Sequence, residues 1–204
     1  MSIKIVVFGA AGGTGRNIVE QGLSRGYPVT AFIHKKRGLE GLAGLSTVTG
    51  DVLNRDDVEK AVANQDAVIS ALGAGKVSFY GTKNIVDAMK KAGVRRLIVE
   101  SAYGAGDSAK ELPVLNRLIV RDLLLRSQFR AKDLMESYVE KSDLEWTIVR
   151  PPRLTDGPRR GNYRAGDRIR LDILSGISRA DVAEFMLRQV EDIEFVRREP
   201  SVAY

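Results

Sequence analysis

The chain contains no cysteine and a single histidine, His34. Without cysteine there is no disulfide, no thiolate nucleophile and no cysteine-held zinc or iron–sulfur centre, in keeping with a reducing cytoplasm as the expected location. One histidine excludes a histidine-rich metal site, so no metal is expected, and a Ser-His-Asp triad would have to be built on His34. Long apolar runs are missing too. The stretch PVLNRLIVRDLLLR is broken by Arg117, Arg121 and Asp122, so no membrane contact is expected. The opening MSIKIVVFGAAGG ends at glycines without a small-residue cleavage site and reads as a strand.

What is present suits one soluble domain over residues 1–204. Hydrophobic residues make up 44% and charged residues 28%, enough to bury a full core. Residues 3–8 form a β-branched and aromatic run, the pattern of a strand buried on both faces. Residues 14–25 then place Ile18, Val19 and Leu23 at helical spacing, with Gly26 as the stop. The unit repeats. PVTAFIH is followed by a short segment over residues 39–45, STVTGDV by DDVEKAVA, DAVISAL by FYGTKNIVDAMKKAG, RRLIVES by a longer helical stretch, and LEWTIVRPP closes the series. Six strands alternating with helices predict an α/β fold, a Rossmann-type doubly wound parallel sheet with helices on both faces. Its crevice would lie at the carboxyl ends of the strands.

After Pro152 the rhythm changes. Residues 151–177 are rich in turn formers and arginine and read as a substrate-covering segment, with YRAGDRIRL as two short strands joined through Ala-Gly-Asp. ISRADVAEFMLRQV reads as a last helix, with Ser178 as N-cap and Asp181 in the capping-box position.

The strongest motif is GAAGGTG, which spaces Gly9, Gly12 and Gly15 between strand and helix, with Gly13 among them. Glycines let the backbone turn tightly and approach a diphosphate, whose charge meets the amides of a helix N-terminus. At the end of the second strand stand His34, Lys35, Lys36 and Arg37, with no acid. Cations there favour the 2′-phosphate of NADP(H) over the bare ribose of NAD, unless the turn is merely solvated. Asp51 of GDV either accepts from an adenine amino group or caps a helix. Leu72 and Gly73 offer a close passage to a nicotinamide ribose, or a plain strand-to-loop turn.

The ordered set GAAGGTG, GDVLNRDDVEKAV, DAVISALGA, NIVDAMKKAGV, VESA, LEWTIVRPPRLTDGP and ISRADVAEFML spans nearly the whole chain. It resembles the atypical NAD(P)-binding short-chain dehydrogenase/reductases of the NmrA-like group, including their biliverdin-IXβ (flavin) reductases. The resemblance implies NADPH-dependent reduction of flavins and some linear tetrapyrroles, with a flavin as substrate. It implies a phosphate loop at Gly9, Ala11, Gly12 and Thr14, a 2′-phosphate region at His34 and the basic residues after it, and an adenine contact at Asp51 and Val52. Ser101 matches the serine near the nicotinamide, and Pro152, Arg153 and Leu154 match the stretch that flanks nicotinamide and substrate. Arg153 and Lys132 both stand where those reductases carry histidine.

No Tyr-x-x-x-Lys pair is present, since Tyr80 to Lys83 and Tyr138 to Lys141 are each one residue short. Lys132 fits the lysine position of such a pair, with Gln128 in the tyrosine position. A conjugated acceptor tolerates the missing acid, because hydride addition leaves a delocalised anion that solvent protonates. Ser101 is read as orienting nicotinamide or substrate, or as an end-of-strand turn serine. Lys132 reads equally as a site or a surface lysine, and Arg153 as an anion contact or a solvated loop charge.

Two functions follow: an NADPH-dependent reductase of a flavin, tetrapyrrole, quinone or similar acceptor, and a non-catalytic NADP(H)-sensing regulator that binds a partner protein. Of the net charge of +6, residues 151–170 hold +4 through Arg153, Arg159, Arg160, Arg164, Arg168 and Arg170 against Asp156 and Asp167. The basic character therefore points to an anionic small molecule beside the site rather than to nucleic acid. A monomer is compatible with this sequence, which does not specify an oligomeric state.

Overall fold

The computed structural model describes residues 2–34, 39, 41–73, 75–112, 123–167, 169, 171 and 175–204. Its centre is a six-stranded sheet of β1 (Ile5–Phe8), β2 (Val29–Ile33), β3 (Ser46–Thr49), β4 (Ala67–Ser70), β5 (Arg96–Glu100) and β6 (Glu145–Val149). Every pairing in it is parallel; Ile5, for example, lies between Val29 and Ala67. The order β3-β2-β1-β4-β5-β6 reverses direction between β1 and β4, and the crevice opens over their carboxyl ends. This is the doubly wound Rossmann-type fold expected from the βα rhythm.

Alternation along β1 sends its side chains into two separate cores. Ile5 and Val7 pack with Ile18 and Val19 of α1 (Gly13–Ser24) and with Val182, Phe185 and Met186 of α5 (Arg179–Arg188). Val6 and Phe8 pack on the opposite face with Val58 of α2 (Arg55–Val62), Ile85 and Met89 of α3 (Lys76–Ala92) and Met135 of α4 (Arg126–Glu140). Burial on both faces is why the strands read as continuous apolar runs.

The helix starts differ in a way that bears on the site. Asn54 caps α2, its Oδ1 accepting from the amides of Asp56 and Asp57 at 3.0 and 3.3 Å. Ser178 caps α5, its Oγ accepting from the Asp181 amide at 3.0 Å, as expected. At α1 the N-cap is Gly12, with no side-chain cap and no acid in the first turn. Its first amides are free to meet an anion.

Two short pairings lie beside the sheet. β7 (Arg153–Thr155) runs parallel to β9 (Gly176–Ser178), and β8 (Arg164–Gly166) runs antiparallel to β10 (Ser201–Ala203). The expected hairpin in YRAGDRIRL is thereby corrected: Ala165 and Gly166 lie inside β8 rather than in a turn. The partner of β8 is the strand whose Val202 is buried in the core, so a fixed edge was already available to it. Arg168 and Arg170, on the far side of that segment, lie outside the described residues. No helix among the described residues is long and apolar enough to cross a membrane.

Candidate active site

Two adjoining clefts lie over the carboxyl ends of the central strands. The first, about 450 Å³, is lined by residues 9–12, 32–34 and 50–53 with Leu72 and Val77. The second, about 280 Å³, is lined by residues 12–14 and 71–73 with Glu100, Ser101, Lys132, Leu154 and Arg179. Gly12 and Leu72 line both, so the clefts meet at the glycine loop.

The glycines of that loop do two jobs. A Cβ on Gly15 would overlap the Gly9 carbonyl oxygen, and one on Gly9 would overlap the Ala71 carbonyl oxygen. Gly9 also holds a φ of +75°, which side chains resist. These two residues fold the loop, and Gly15 is buried beneath the groove rather than lining it. Gly12 and Gly13 line the groove, and the lack of a Cβ on Gly13 leaves room for the Arg179 side chain there. A cradle that a Cβ would fill, at an uncapped helix end, fits a nucleotide diphosphate.

On the adenine side His34 is exposed and lines the first cleft with Ala11, Asp51 and Val52. Lys35, Lys36 and Arg37 lie outside the described residues. Asp51 does not cap α2, because Asn54 occupies that position. Its Oδ1 accepts from the Leu53 amide at 2.9 Å, and its own amide donates to Asp57 Oδ2 at 3.1 Å. Asn84 donates to the Val52 carbonyl at 3.0 Å and holds this loop from α3.

The second cleft has a charged floor. Glu100 ends β5, and Thr14 Oγ1 donates to its Oε1 at 3.1 Å. Lys132 Nζ reaches from α4 to donate to the Glu100 carbonyl at 2.8 Å. Both side chains are buried. Burial pushes the Glu100 carboxyl up, against the nearby Lys132 ammonium, the Thr14 hydrogen bond and the charge of Arg179. Burial likewise pulls Lys132 down, against Glu100 and Glu136. Ser101 Oγ is buried among these charges, next to the Glu136 carboxyl.

A second cluster stands behind this floor. Arg150 donates to both oxygens of Glu136, at 3.2 and 2.8 Å, and to Asp107 and Glu199 at 2.5 Å each. Burial pushes the Glu136 carboxyl up, against Arg150 and the neighbouring Ser101 hydroxyl. Among the described residues no group of three or more His, Asp or Glu side chains is arranged to hold a metal.

The structure thus brings together Gly12, Gly13, Thr14, Leu72, Gly73, Ser101, Lys132 and Leu154 in the second cleft. Pro152 is half-buried and Arg153 exposed, and neither lines it; the Arg153 guanidinium lies beside Gly176. None of the described arginines of residues 151–167 lines either cleft. Arg160 sits over the Tyr204 ring, 4.4 Å from its centre, and Arg164 donates to the Tyr204 carbonyl oxygen at 3.1 Å. The acids of the segment instead bind arginines from elsewhere, Asp156 to Arg179 and Asp167 to Arg198. The described arginine that lines the groove is Arg179.

Sequence reasoning missed Glu100, Glu136 and Arg179. A charge directly after the apolar Leu97–Val99 run of β5 was a usable signal for Glu100, since a carboxylate there meets the crevice. Nothing local marks Arg179 or Glu136, which read as ordinary helix residues.

The NAD(P)H-binding family model matches residues 9–193. Among curated proteins, the uncharacterised chloroplast protein At2g34460 of Arabidopsis thaliana is 35% identical over 174 residues, 78% of this chain and 62% of its own length. The divinyl chlorophyllide a 8-vinyl-reductase of the same plant is 28% identical over 171 residues, 73% of this chain and 39% of its own length. The chain therefore spans less than two thirds of these relatives. Among solved structures, the anaerobilin reductase ChuY from Escherichia coli O157:H7 superposes with a TM-score of 0.85 at 26% identity, covering 98% of this chain and 96% of that one.

Proposed function

The chain belongs to the NAD(P)H-binding family, and on that premise we propose that it is an NADPH-dependent reductase that passes hydride to a planar conjugated acceptor. A linear tetrapyrrole leads the candidates, ahead of a flavin or quinone. The observation that carries this reading is the joining of the glycine loop to a floor where a buried hydroxyl, Ser101 Oγ, stands beside the buried Lys132 and Glu100. A chain that only sensed the nucleotide would have no use for such a floor. The reductase names of the two relatives, one acting on a chlorophyllide and one on anaerobilin, support the acceptor class.

In this reading the amides of Gly12, Gly13 and Thr14 take the diphosphate, and Asp51 and Val52 face the adenine. His34, Lys35, Lys36 and Arg37 select the 2′-phosphate, and Leu72 and Gly73 pass the nicotinamide ribose. The nicotinamide, when bound, supplies the hydride. Ser101 offers its hydroxyl to the carboxamide or the acceptor. Lys132 keeps positive potential under the acceptor as charge develops there, and Glu100 holds that ammonium in place through Thr14 and the strand end. Leu154 forms an apolar wall, and residues 151–177 cover the acceptor side of a single domain. Rate enhancement comes chiefly from proximity, with the final proton drawn from solvent.

Steady-state oxidation of NADPH and NADH with FMN, riboflavin, a quinone and a linear tetrapyrrole tests the proposal. Turnover of at least one acceptor is expected, with NADPH preferred. NADPH binding without turnover of any acceptor would favour the regulator instead.

A further inference from the structure

We propose that Arg179 is a ligand of the cofactor's diphosphate and that Asp156 is the carboxylate it releases when that anion binds. Arg179 opens α5, yet its side chain crosses to the start of α1. A Cβ built on Gly13 would meet Arg179 Cδ at 2.6 Å and Nε at 2.8 Å. The guanidinium therefore lies over the first turn of a helix whose amide end is already positive and carries neither a side-chain cap nor an acid. Two positive features placed together call for an anion between them.

In the structure that demand is met from the side by Asp156, whose Oδ1 lies 2.5 Å from Arg179 Nη1. The Asp156 side chain is 89% exposed, against 29% for Arg179. An ion pair with one member so exposed is weak and readily exchanged. A diphosphate offers more charge and several oxygens to the planar guanidinium fork.

The backbone that carries Arg179 is, by contrast, firmly held. Asp181, two residues on and fully buried, accepts from the amides of Arg160 and Gly161 at 2.8–3.0 Å and from the Ser178 and Tyr204 hydroxyls. Against the upward push of burial, those donors keep its carboxyl below the usual range. The cluster ties the root of Arg179 to residues 160 and 161 in the middle of the covering segment, while Asp156, just past the end of β7, meets Arg179 through its carboxylate. Filling the diphosphate site frees Asp156 and so links cofactor occupancy to the acceptor side of the groove.

The inference rests on the nucleotide-binding reading of the glycine loop and not on the identity of the acceptor. It is tested by equilibrium titration of NADPH, with no acceptor present, into the wild-type chain, Arg179→Gln, Arg179→Lys and Asp156→Asn, over a range of salt. Arg179→Gln is expected to weaken the NADPH Kd about tenfold, the scale of a lost charge-assisted hydrogen bond, and to flatten its salt dependence. Arg179→Lys falls between, keeping charge and fold while losing the fork. Asp156→Asn is expected to tighten the Kd, by roughly twofold to threefold, because the competing carboxylate is gone. A merely structural brace would make both halves of the pair shift the same way. Like shifts in Arg179→Gln and Asp156→Asn, or an unchanged Kd in Arg179→Gln, would overturn the proposal while leaving the function intact. Failure of the wild-type chain to bind NADPH would overturn both.

Discussion

At the adenine end of the groove the lining is mostly backbone and apolar side chain, with Gly9, Gly12, Phe32, Val52 and Leu72 around a cleft of about 450 Å³ and His34 and Asp51 as its polar side chains. At the other end Thr14, Glu100, Ser101, Lys132 and Arg179 meet, polar or charged side chains drawn from α1, β5, α4 and α5. A nucleotide is held by features every Rossmann-type crevice can supply, namely a tight turn and a helix end. An acceptor has to be positioned by groups that only the folded chain assembles. At the first end a methyl on Gly9 would overlap the Ala71 carbonyl oxygen, and at the second Glu100 and Lys132 are buried together.

That contrast can be broken by substitution. Lys132→Met removes the buried Glu100 carboxyl's nearest counter-charge, leaving Arg179, and a urea melt is expected to show a loss of about 3 kcal/mol, the lower end for breaking a buried pair. Adding Glu100→Gln should recover much of it; a neutral single variant would mean that the floor is wetter than its burial implies. Gly15→Ala forces a methyl onto the Gly9 carbonyl and is expected to cost about 3 kcal/mol, the upper range for overpacking. NADPH binding in titration should fall with it.

A smaller effect concerns the Arg150 cluster behind the floor. Burial pushes the Glu199 carboxyl up to about 8, with Arg150 opposing and Glu140 and Glu136 reinforcing the rise. Asp107, Asp167, Arg197 and Arg198 line the same pocket. A carboxyl raised on folding binds its proton more tightly in the folded state. Its stabilisation is full below the ordinary carboxylate range and is lost as pH rises through about 8. Thermal melts of Glu199→Gln should therefore show a shallower fall in Tm between pH 5 and 8 than the wild-type chain shows. Smallest of all, Arg153→Ala is expected to change the acceptor KM by less than about twofold, as for an exposed residue outside the groove. A large rise would restore Arg153 to the site.

The same division explains what could be read from sequence. The six strands, the helices on both faces, the glycine loop and the Ser178 cap all depend on neighbours a few positions apart, and periodicity and turn chemistry carry them. The floor depends on pairs far apart in sequence, such as Thr14 with Glu100 and Lys132 with Glu100. Ser101 and Lys132 were reached through a resemblance, and their burial was not visible in the residues themselves. The arginine-rich segment misled for the same reason: composition counted its charges, but Tyr204 and Asp181 decide where Arg160 and Arg164 go. Arg179, a single cation at a helix start, was hidden until the fold laid it over Gly13.

The most direct test of one continuous groove follows the hydride itself. NADPH deuterated on one face of nicotinamide C4, and in a second sample on the other, is mixed with the protein and a linear tetrapyrrole, and the reduced product is weighed by mass spectrometry. The expected result is acceptor-dependent oxidation with deuterium delivered to the tetrapyrrole from one face only. NADPH bound at the glycine loop with no oxidation, and no label in the tetrapyrrole or any other conjugated acceptor, would contradict it.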